Sequence, residues 1–288
     1  MTYPLGVLTL VAITVVWGTT FVVVKGSLET IPVSLLLALR FSLAAAAFSF
    51  VRFDRRAVVP ALWLGVLAFA GFATQTMGLS ITTASRSAFI TGLSVVFTPM
   101  VAALWFRQRV APRVVVASAV AVAGLALLTL RGGDGGGLNA GDVWTLGTAL
   151  AYALYIVYLG QVAGRASVSA LAGMQHLPMA ALAWLWAAPE LGALAHVPPQ
   201  TYLAIAYLAL VATALVALLQ VAAQRVVPAS VAAIVFVLEP VFAALFAWWL
   251  VNETLGPAGW AGGLLVVLAM LVAELRLRGR ARSTRTAG

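Results

Sequence analysis

The sequence predicts an all-α membrane protein: ten transmembrane helices, arranged as two inverted five-helix repeats around a central cavity. Three observations lead there. First, 63% of the 288 residues are hydrophobic and 9% are charged, with a mean hydropathy of +1.07, whereas an ordinary soluble domain carries about 25% charge. Second, charged or Gly/Pro-rich breaks divide the chain into ten apolar stretches. Each is close to the roughly 20 residues that cross a hydrocarbon layer of about 30 Å at 1.5 Å per residue. Third, Pro-x-x-Ala-Ala-Leu occurs twice, at Pro99 to Leu104 and at Pro240 to Leu245, each time inside such a stretch.

The spans follow in order. Span 1 is Leu5 to Val24, closed by Lys25 and Glu29, and span 2 is Val33 to Val51, closed by Arg52 and Asp54. Span 3 runs from Pro60 to Leu79, and span 4 from Ser85 to Phe106, where Arg107 ends it. Span 5, Arg113 to Leu130, leads into the Gly-rich run Arg131 to Gly141, a flexible linker by composition. Spans 6 to 10 are Val143 to Val162, Val168 to Ala188, Thr201 to Gln220, Ser230 to Leu250 and Ala258 to Leu277. The expected units are therefore 1–130, a linker at 131–141, a second unit at 142–277 and a basic tail at 278–288.

Five is odd, so the second unit enters the membrane in the opposite sense to the first, and paired units of this kind usually bind a solute between them near the midplane. A shift of 141 residues superposes Pro99 on Pro240, while a shift of 135 places Trp17 on Tyr152 and Arg40 on Gln175. Pro99 and Pro240 each remove a backbone donor within a span and free a carbonyl. They are expected to kink spans 4 and 9, either as plain bends or as hinges facing the substrate. Ala117 and Ala121 in span 5, and Gly259 and Gly263 in span 10, permit close helix approach. Packing within one chain is favoured over a dimer seam, so a monomer or weak dimer is expected, with spans 5 and 10 at the periphery.

A net charge of +9 would suit a nucleic-acid partner, but the positions of the cations argue otherwise. With ten spans both termini share one side, which holds Arg52, Arg55, Arg56, Arg107, Arg109, Arg113, Arg165, Arg225, Arg276, Arg278, Arg280, Arg282 and Arg285. The other side holds only Lys25, Arg86 and Arg131, with Arg40 inside a span. This is the positive-inside bias of a cytoplasmic face, and the tail is read as a topology determinant or a contact for anionic lipid. No cleaved signal peptide is expected, because the first apolar stretch is longer than a usual h-region and has no basic n-region before it.

Chemistry is bounded as firmly. The chain has no cysteine, which excludes disulfides, thiolate nucleophiles and zinc-thiolate sites. Arg40 and Glu239 are the charges at depth, where an ionisable group usually faces an interior or a cavity. They either pair across the repeat interface, or Arg40 attracts a substrate carboxylate while Glu239 carries a proton. The other acids, Glu29, Asp54, Asp134, Asp142, Glu190, Glu253 and Glu274, lie in loops or at span ends. Glu239 thus has no second carboxylate at depth, His196 is in a loop, and His176 has no evident metal partner and reads as a packing residue. Neither an enzyme nor a cofactor is implied. The remaining polar and aromatic side chains within spans are Trp17, Gln75, Tyr152, Tyr155, Tyr158, Gln175, Gln220 and Gln224. They suit a cavity for a neutral or zwitterionic small molecule. Tyr152, Tyr155 and Tyr158 form a stripe at helical spacing, either lining or packing, while Trp184, Trp186, Trp248 and Trp249 read as belt or lipid-facing residues.

Four segments carry a resemblance: Trp17-Gly18-Thr19-Thr20-Phe21, Leu39-Arg40-Phe41, Ser85-Arg86-Ser87-Ala88-Phe89-Ile90, and Leu238 to Leu245 followed by Asn252-Glu253. Together they resemble the EamA branch of the drug/metabolite transporter superfamily over the whole chain, and within it the YddG-like exporters of aromatic and other amino acids, which are also associated with export of the dication paraquat. The resemblance implies a bacterial inner-membrane exporter working by alternating access, with a cavity formed by spans 1 to 4 and 6 to 9. Trp17, Arg40, Gln75, Phe89, Tyr152, Tyr155 and Gln175 would contact substrate, Glu239 would serve coupling or a charge pair, and Pro99 and Pro240 would act as hinges. A multidrug or organic-cation exporter is the alternative. One departure is that Arg109 stands in the first half where Glu253 stands in the second.

Overall fold

The computed structural model describes residues 1–106, 138–236, 238–253 and 256–274, with 112, 116, 119–120, 122–124 and 127 between the first two stretches. Most of span 5, residues 131–137 of the linker and the basic tail lie outside the described residues. What is described is helical throughout, with no strand among these residues. Among the described residues seven helices are long and apolar enough to cross a membrane, and two apolar helices are shorter, Val33–Ala46 and Gly256–Ala269.

Helix α1 (Tyr3–Ser27) is the first of these, and α2 (Val33–Ala46) follows after a short turn. The sequence carries apolarity on to Val51, but helix α2 stops at Ala46 and its last carbonyls turn the chain at residues 47–50. Helix α3 (Val58–Ile81) returns, entered through a turn at Arg55–Ala57 whose backbone is capped by Asp54. The next span is broken into α4 (Ala84–Thr91) and α5 (Ser94–Phe106). The break falls at Gly92 and Leu93, where tight bonds such as Leu93 N–H to Ile90 O (3.0 Å) replace helical ones. It therefore lies upstream of Pro99, which sits within α5.

The second half opens with α6 (Ala140–Val162), started by a reciprocal capping box between Asn139 and Asp142. Next come α7 (Val168–Met174) and α8 (His176–Ala187), then a tight helical turn over Ala188–His196. A single long span follows: α9 (Pro199–Ala206), a widened π-helical segment Tyr207–Leu215, and α10 (Val216–Gln224). Within the widened segment the Thr213 hydroxyl donates to the carbonyl of Leu208, five residues back, at 2.7 Å. Such segments are rare and concentrate at functional sites. Helices α11 (Ala229–Phe236), α12 (Leu238–Val251) and α13 (Gly256–Glu274) complete the fold, with Pro240 in α12.

Packing joins the halves rather than separating them: α3 lies along α6, α2 along α8 and α1 along α12. In a bilayer such contacts are held by close packing and hydrogen bonds, because lipid tails are as apolar as the helices. Helix α2 is consequently apolar and buried around most of its circumference, with Leu35, Leu36, Leu37, Ala38 and Phe41 all inaccessible. Small residues set the spacing. A Cβ on Gly65 of α3 would come within 2.3 Å of the Gln175 carbonyl and 2.4 Å of the Pro178 ring. Gly65→Ala is therefore expected to cost about 1–3 kcal/mol, as overpacking does in a tight core, read as a lower melting temperature of the detergent-solubilised protein.

Several single placements differ from the sequence expectation. Trp248 and Trp249 are exposed on the outer surface, but Trp184 turns inward and donates from Nε1 to the Ser42 hydroxyl at 2.8 Å. Arg86, expected at the outer end of span 4, is buried in α4 and forms a salt bridge of 2.6 Å with the fully buried Asp142.

Candidate functional site

A cavity of about 70 Å³ lies midway along the helices, walled by both halves. One water needs roughly 10–15 Å³ on the same measure, so there is room for several waters or a small solute. The first half contributes Trp17 and Thr20 from α1, Phe72 and Gln75 from α3, Thr91 from α4 and Ser94 from α5. The second contributes Tyr152 and Tyr155 from α6, Gln175 and His176 at the α7–α8 junction, and Thr213 and Gln220 from the long span. Phe236 and Glu239 close the wall.

Aromatic contacts hold the apolar part of this wall in place. The Trp17 ring lies 5.2 Å from that of Phe236, and its Nε1 donates to the Ala212 carbonyl at 3.3 Å. Phe72 meets Phe41 on one side and Tyr152 on the other, edge to face, at 5.4 and 5.8 Å. These are favourable offset geometries for ring quadrupoles.

The amides are tethered in turn. Tyr155 donates its hydroxyl to Gln175 Oε1 at 3.0 Å, and Gln175 Nε2 donates to the Ala172 carbonyl at 3.3 Å. Gln75 has looser partners, accepting from Tyr152 at 3.4 Å and donating to Thr91 at 3.5 Å. Bonds this long are the ones a polar ligand could replace without loss. Removing the firm one is expected to have a modest effect: Tyr155→Phe should lose about 1 kcal/mol of stability, measured by thermal denaturation.

Glu239 is the one carboxylate among the described lining residues, and none of these is a lysine or arginine. Arg40 does not reach it. Its guanidinium is buried behind Phe72, 4.5 Å from the ring centre, and its Nε donates to the Thr213 hydroxyl at 2.7 Å. Arg40 thus fixes Phe72 and the π-helical segment from behind, in contact with two cavity residues but outside the wall.

Of the residues expected from the sequence, Trp17, Gln75, Tyr152, Tyr155, Gln175 and Glu239 come together here. Phe89 does not, because its ring packs against Ala244 and occupies the space that Gly263 of α13 leaves open. Pro99 and Pro240 are likewise absent from the wall, and Tyr158 departs from the tyrosine stripe into a separate groove with Trp105, Gln161 and Arg165. His176, expected to be a packing residue, does stack on Phe48 at 5.6 Å, yet it also lines the cavity. Its Nδ1 has no hydrogen-bond partner among the described residues.

Thr20, Phe72 and Phe236 were not singled out in the sequence, yet each lies three residues from one that was: Trp17, Gln75 and Glu239 respectively. Residues three or four apart share a helix face, so extending each candidate by one turn would have found them.

Long apolar helices, a mid-height cavity and a wall built from both halves define a multi-pass membrane protein with an internal solute-sized site. The family assignment follows from comparison. The model of the EamA-like transporter family matches residues 4–130 and again residues 139–274, and the chain belongs to that family. It is a membrane transporter. An uncharacterized transporter of Archaeoglobus fulgidus is 28% identical over 270 residues, covering 93% of this chain and 85% of that protein. A solved structure, described only as the crystal structure of a protein, superposes with a TM-score of 0.67 at 18% identity. It covers 96% of this chain and 99% of that one, a likeness of fold.

Proposed function

We propose that this transporter exports amino acids, aromatic and other neutral ones above all, from the cytoplasm across a bacterial inner membrane by alternating access. The observation that carries this reading is the cavity itself, where a carboxylate and several neutral hydrogen-bonding side chains face one another among five aromatic rings. The ammonium group of a substrate would sit at Glu239, its carboxylate at the Gln75 and Gln175 amides, and its side chain among Trp17, Phe72, Tyr152, Tyr155 and Phe236. Arg40 would favour the carboxylate through its charge from behind Phe72.

The moving parts would be ten spans in two inverted units, 1–130 and 142–277, joined by the 131–141 linker, with both termini cytoplasmic. Reciprocal packing supports this arrangement. Helix α1 packs on α12 and on the 199–224 span, and their counterparts do the same in reverse, with α6 on α4–α5 and on α3. Helices α2 and α8, themselves counterparts, pack on each other. Pro99 and Pro240 would provide the hinges of α5 and α12.

Counterflow in proteoliposomes tests the reading. Vesicles loaded with one unlabelled amino acid at a time should take up the labelled form saturably, and an imposed pH gradient should change the rate if export is proton-coupled. Absence of exchange with every amino acid, in folded protein, would refute it. A second reading, export of organic cations, is favoured by the lining charge, since Glu239 faces aromatic rings that attract cations and no described cation opposes it.

A further inference from the structure

Two matching turns, α3–α4 and α10–α11, end helices that wall the cavity, and the chain fastens them differently. The match is visible at two glycines, Gly6 and Gly141, which stand 135 residues apart at the starts of α1 and α6. A Cβ on Gly141 would meet the Gly78 carbonyl at 2.8 Å and the Thr82 side chain at 3.1 Å. A Cβ on Gly6 would meet the Ala223 carbonyl at 3.6 Å and the Val227 side chain at 2.8 Å. Ala223 and Val227 lie 145 residues beyond Gly78 and Thr82. The same contact is made twice, once beneath the α3–α4 turn and once beneath the α10–α11 turn.

Charged groups grip the α3–α4 turn. Glu253, from the end of α12, accepts the backbone N–H groups of Ala84 and Ser85 at 3.1 and 2.9 Å. Arg86 donates two bonds to Asp142 of α6, at 2.8 and 2.6 Å. Both of these contacts cross from one half to the other. Lys25 of α1 adds bonds to the carbonyls of Leu79 and Thr82 at 2.8 and 2.7 Å.

At the α10–α11 turn the corresponding charges are missing. By the same spacings Lys25 maps to Gly160, which packs against Ala229, Arg86 maps to Val231, and Asp142 maps to Val7. Residues 107–113, the stretch that answers to Glu253, read Arg-Gln-Arg-Val-Ala-Pro-Arg and contain no carboxylate. Arg225 bonds the carbonyls of Ala163 and Ala166 nearby, a fastening within the second half as that of Lys25 is within the first, so the bonds without a counterpart are those that cross between the halves. The peripheral clasps are symmetric: Glu190 accepts from Ser34 at one end and Asp54 from the Ser167 N–H at the other. Among the described residues the difference lies at the central turns.

We propose that Glu253 and the Arg86–Asp142 pair form a latch between the halves, so that the 82–86 end of the cavity opens only when these bonds break, while the uncharged 226–231 end opens readily. This rests on the alternating-access reading above. Charge-assisted bonds to backbone N–H groups at a helix start, and a bidentate Arg–carboxylate pair, are the stronger kinds of hydrogen bond. A gate held by them stays shut while one held by valine, glycine and alanine contacts does not. With the termini in the cytoplasm the weaker gate faces the cytoplasm, so the resting carrier is poised to load from that side.

Because the chain has no cysteine, one introduced cysteine reports access cleanly. Ser94→Cys, on the cavity wall, would be labelled with a membrane-impermeant maleimide, in spheroplasts from outside and in inverted vesicles from the cytoplasmic side. Labelling should be faster from the cytoplasmic side. Glu253→Gln should raise labelling from the outer side about tenfold, a population shift of ordinary size for one lost state-specific contact. Arg86→Val with Asp142→Val, which copies the opposite gate, should do the same. Equal labelling from both sides in the parent, or no gain in Glu253→Gln, would overturn the proposal. The readout needs no substrate, so failure of amino-acid counterflow leaves it interpretable, and Glu253→Gln alone decides if the double variant does not fold.

Discussion

Asp142→Asn is expected to destabilise the helix bundle by about 3–5 kcal/mol, the usual cost of breaking a buried ion pair from one side. The carboxylate of Asp142 is inaccessible to solvent and accepts three hydrogen bonds, two from Arg86 at 2.8 and 2.6 Å and one from the Asn139 N–H at 2.9 Å. Asparagine preserves the shape but removes the charge that neutralises Arg86, and it turns an NH₂ group toward one of its donors. Two sheltered donors then face a weaker acceptor. Replacing both partners, Arg86→Val with Asp142→Val, is expected to cost less than Asp142→Asn alone, because no buried charge remains. Melting curves of the three purified proteins check this order, and a double variant less stable than Asp142→Asn would contradict it.

Glu239→Gln is expected to carry the largest effect on transport. If the carboxylate holds a substrate ammonium in a dry cavity, its loss should weaken apparent affinity by about 2 kcal/mol or more, roughly 30-fold. The amide keeps the size and the hydrogen-bonding capacity of the side chain, so folding should survive. Uptake measured against pH separates two roles. A carboxylate that takes up and releases a proton during the cycle makes uptake vary with pH, whereas glutamine cannot titrate and should flatten the profile. Superimposable pH profiles for the two proteins would eliminate the proton role, and unchanged affinity would eliminate ammonium binding.

How far these residues could be recognised beforehand depended on what each signal measures. Apolar length is a local property, so the helical membrane class could be read directly, and seven described helices meet its length and composition. Polarity at depth was a good guide to Glu239, Gln75 and Gln175, since each is costly inside a membrane unless it faces a cavity or a partner. The same rule cannot distinguish the two outcomes. Arg40 and Glu239 look alike in the sequence, but one is spent on Thr213 and Phe72 and the other lines the wall. The fourth span also breaks at Gly92 and Leu93, a place to which the more conspicuous Pro99 did not point.

The sequence by itself determined the membrane class and the repeated motif, because composition and spacing are properties of the chain. Only the tertiary structure decided which faces meet. When every face of a helix is apolar, hydropathy does not fix its rotation about its own axis, so packing against neighbours turned Phe89 toward α13, Trp184 toward Ser42, and Tyr152 into the cavity. Packing also brought Arg86 to Asp142 and Glu253 to the start of α4, pairings between residues 56 and more than 160 positions apart. Sequence spacing carries no trace of such pairings.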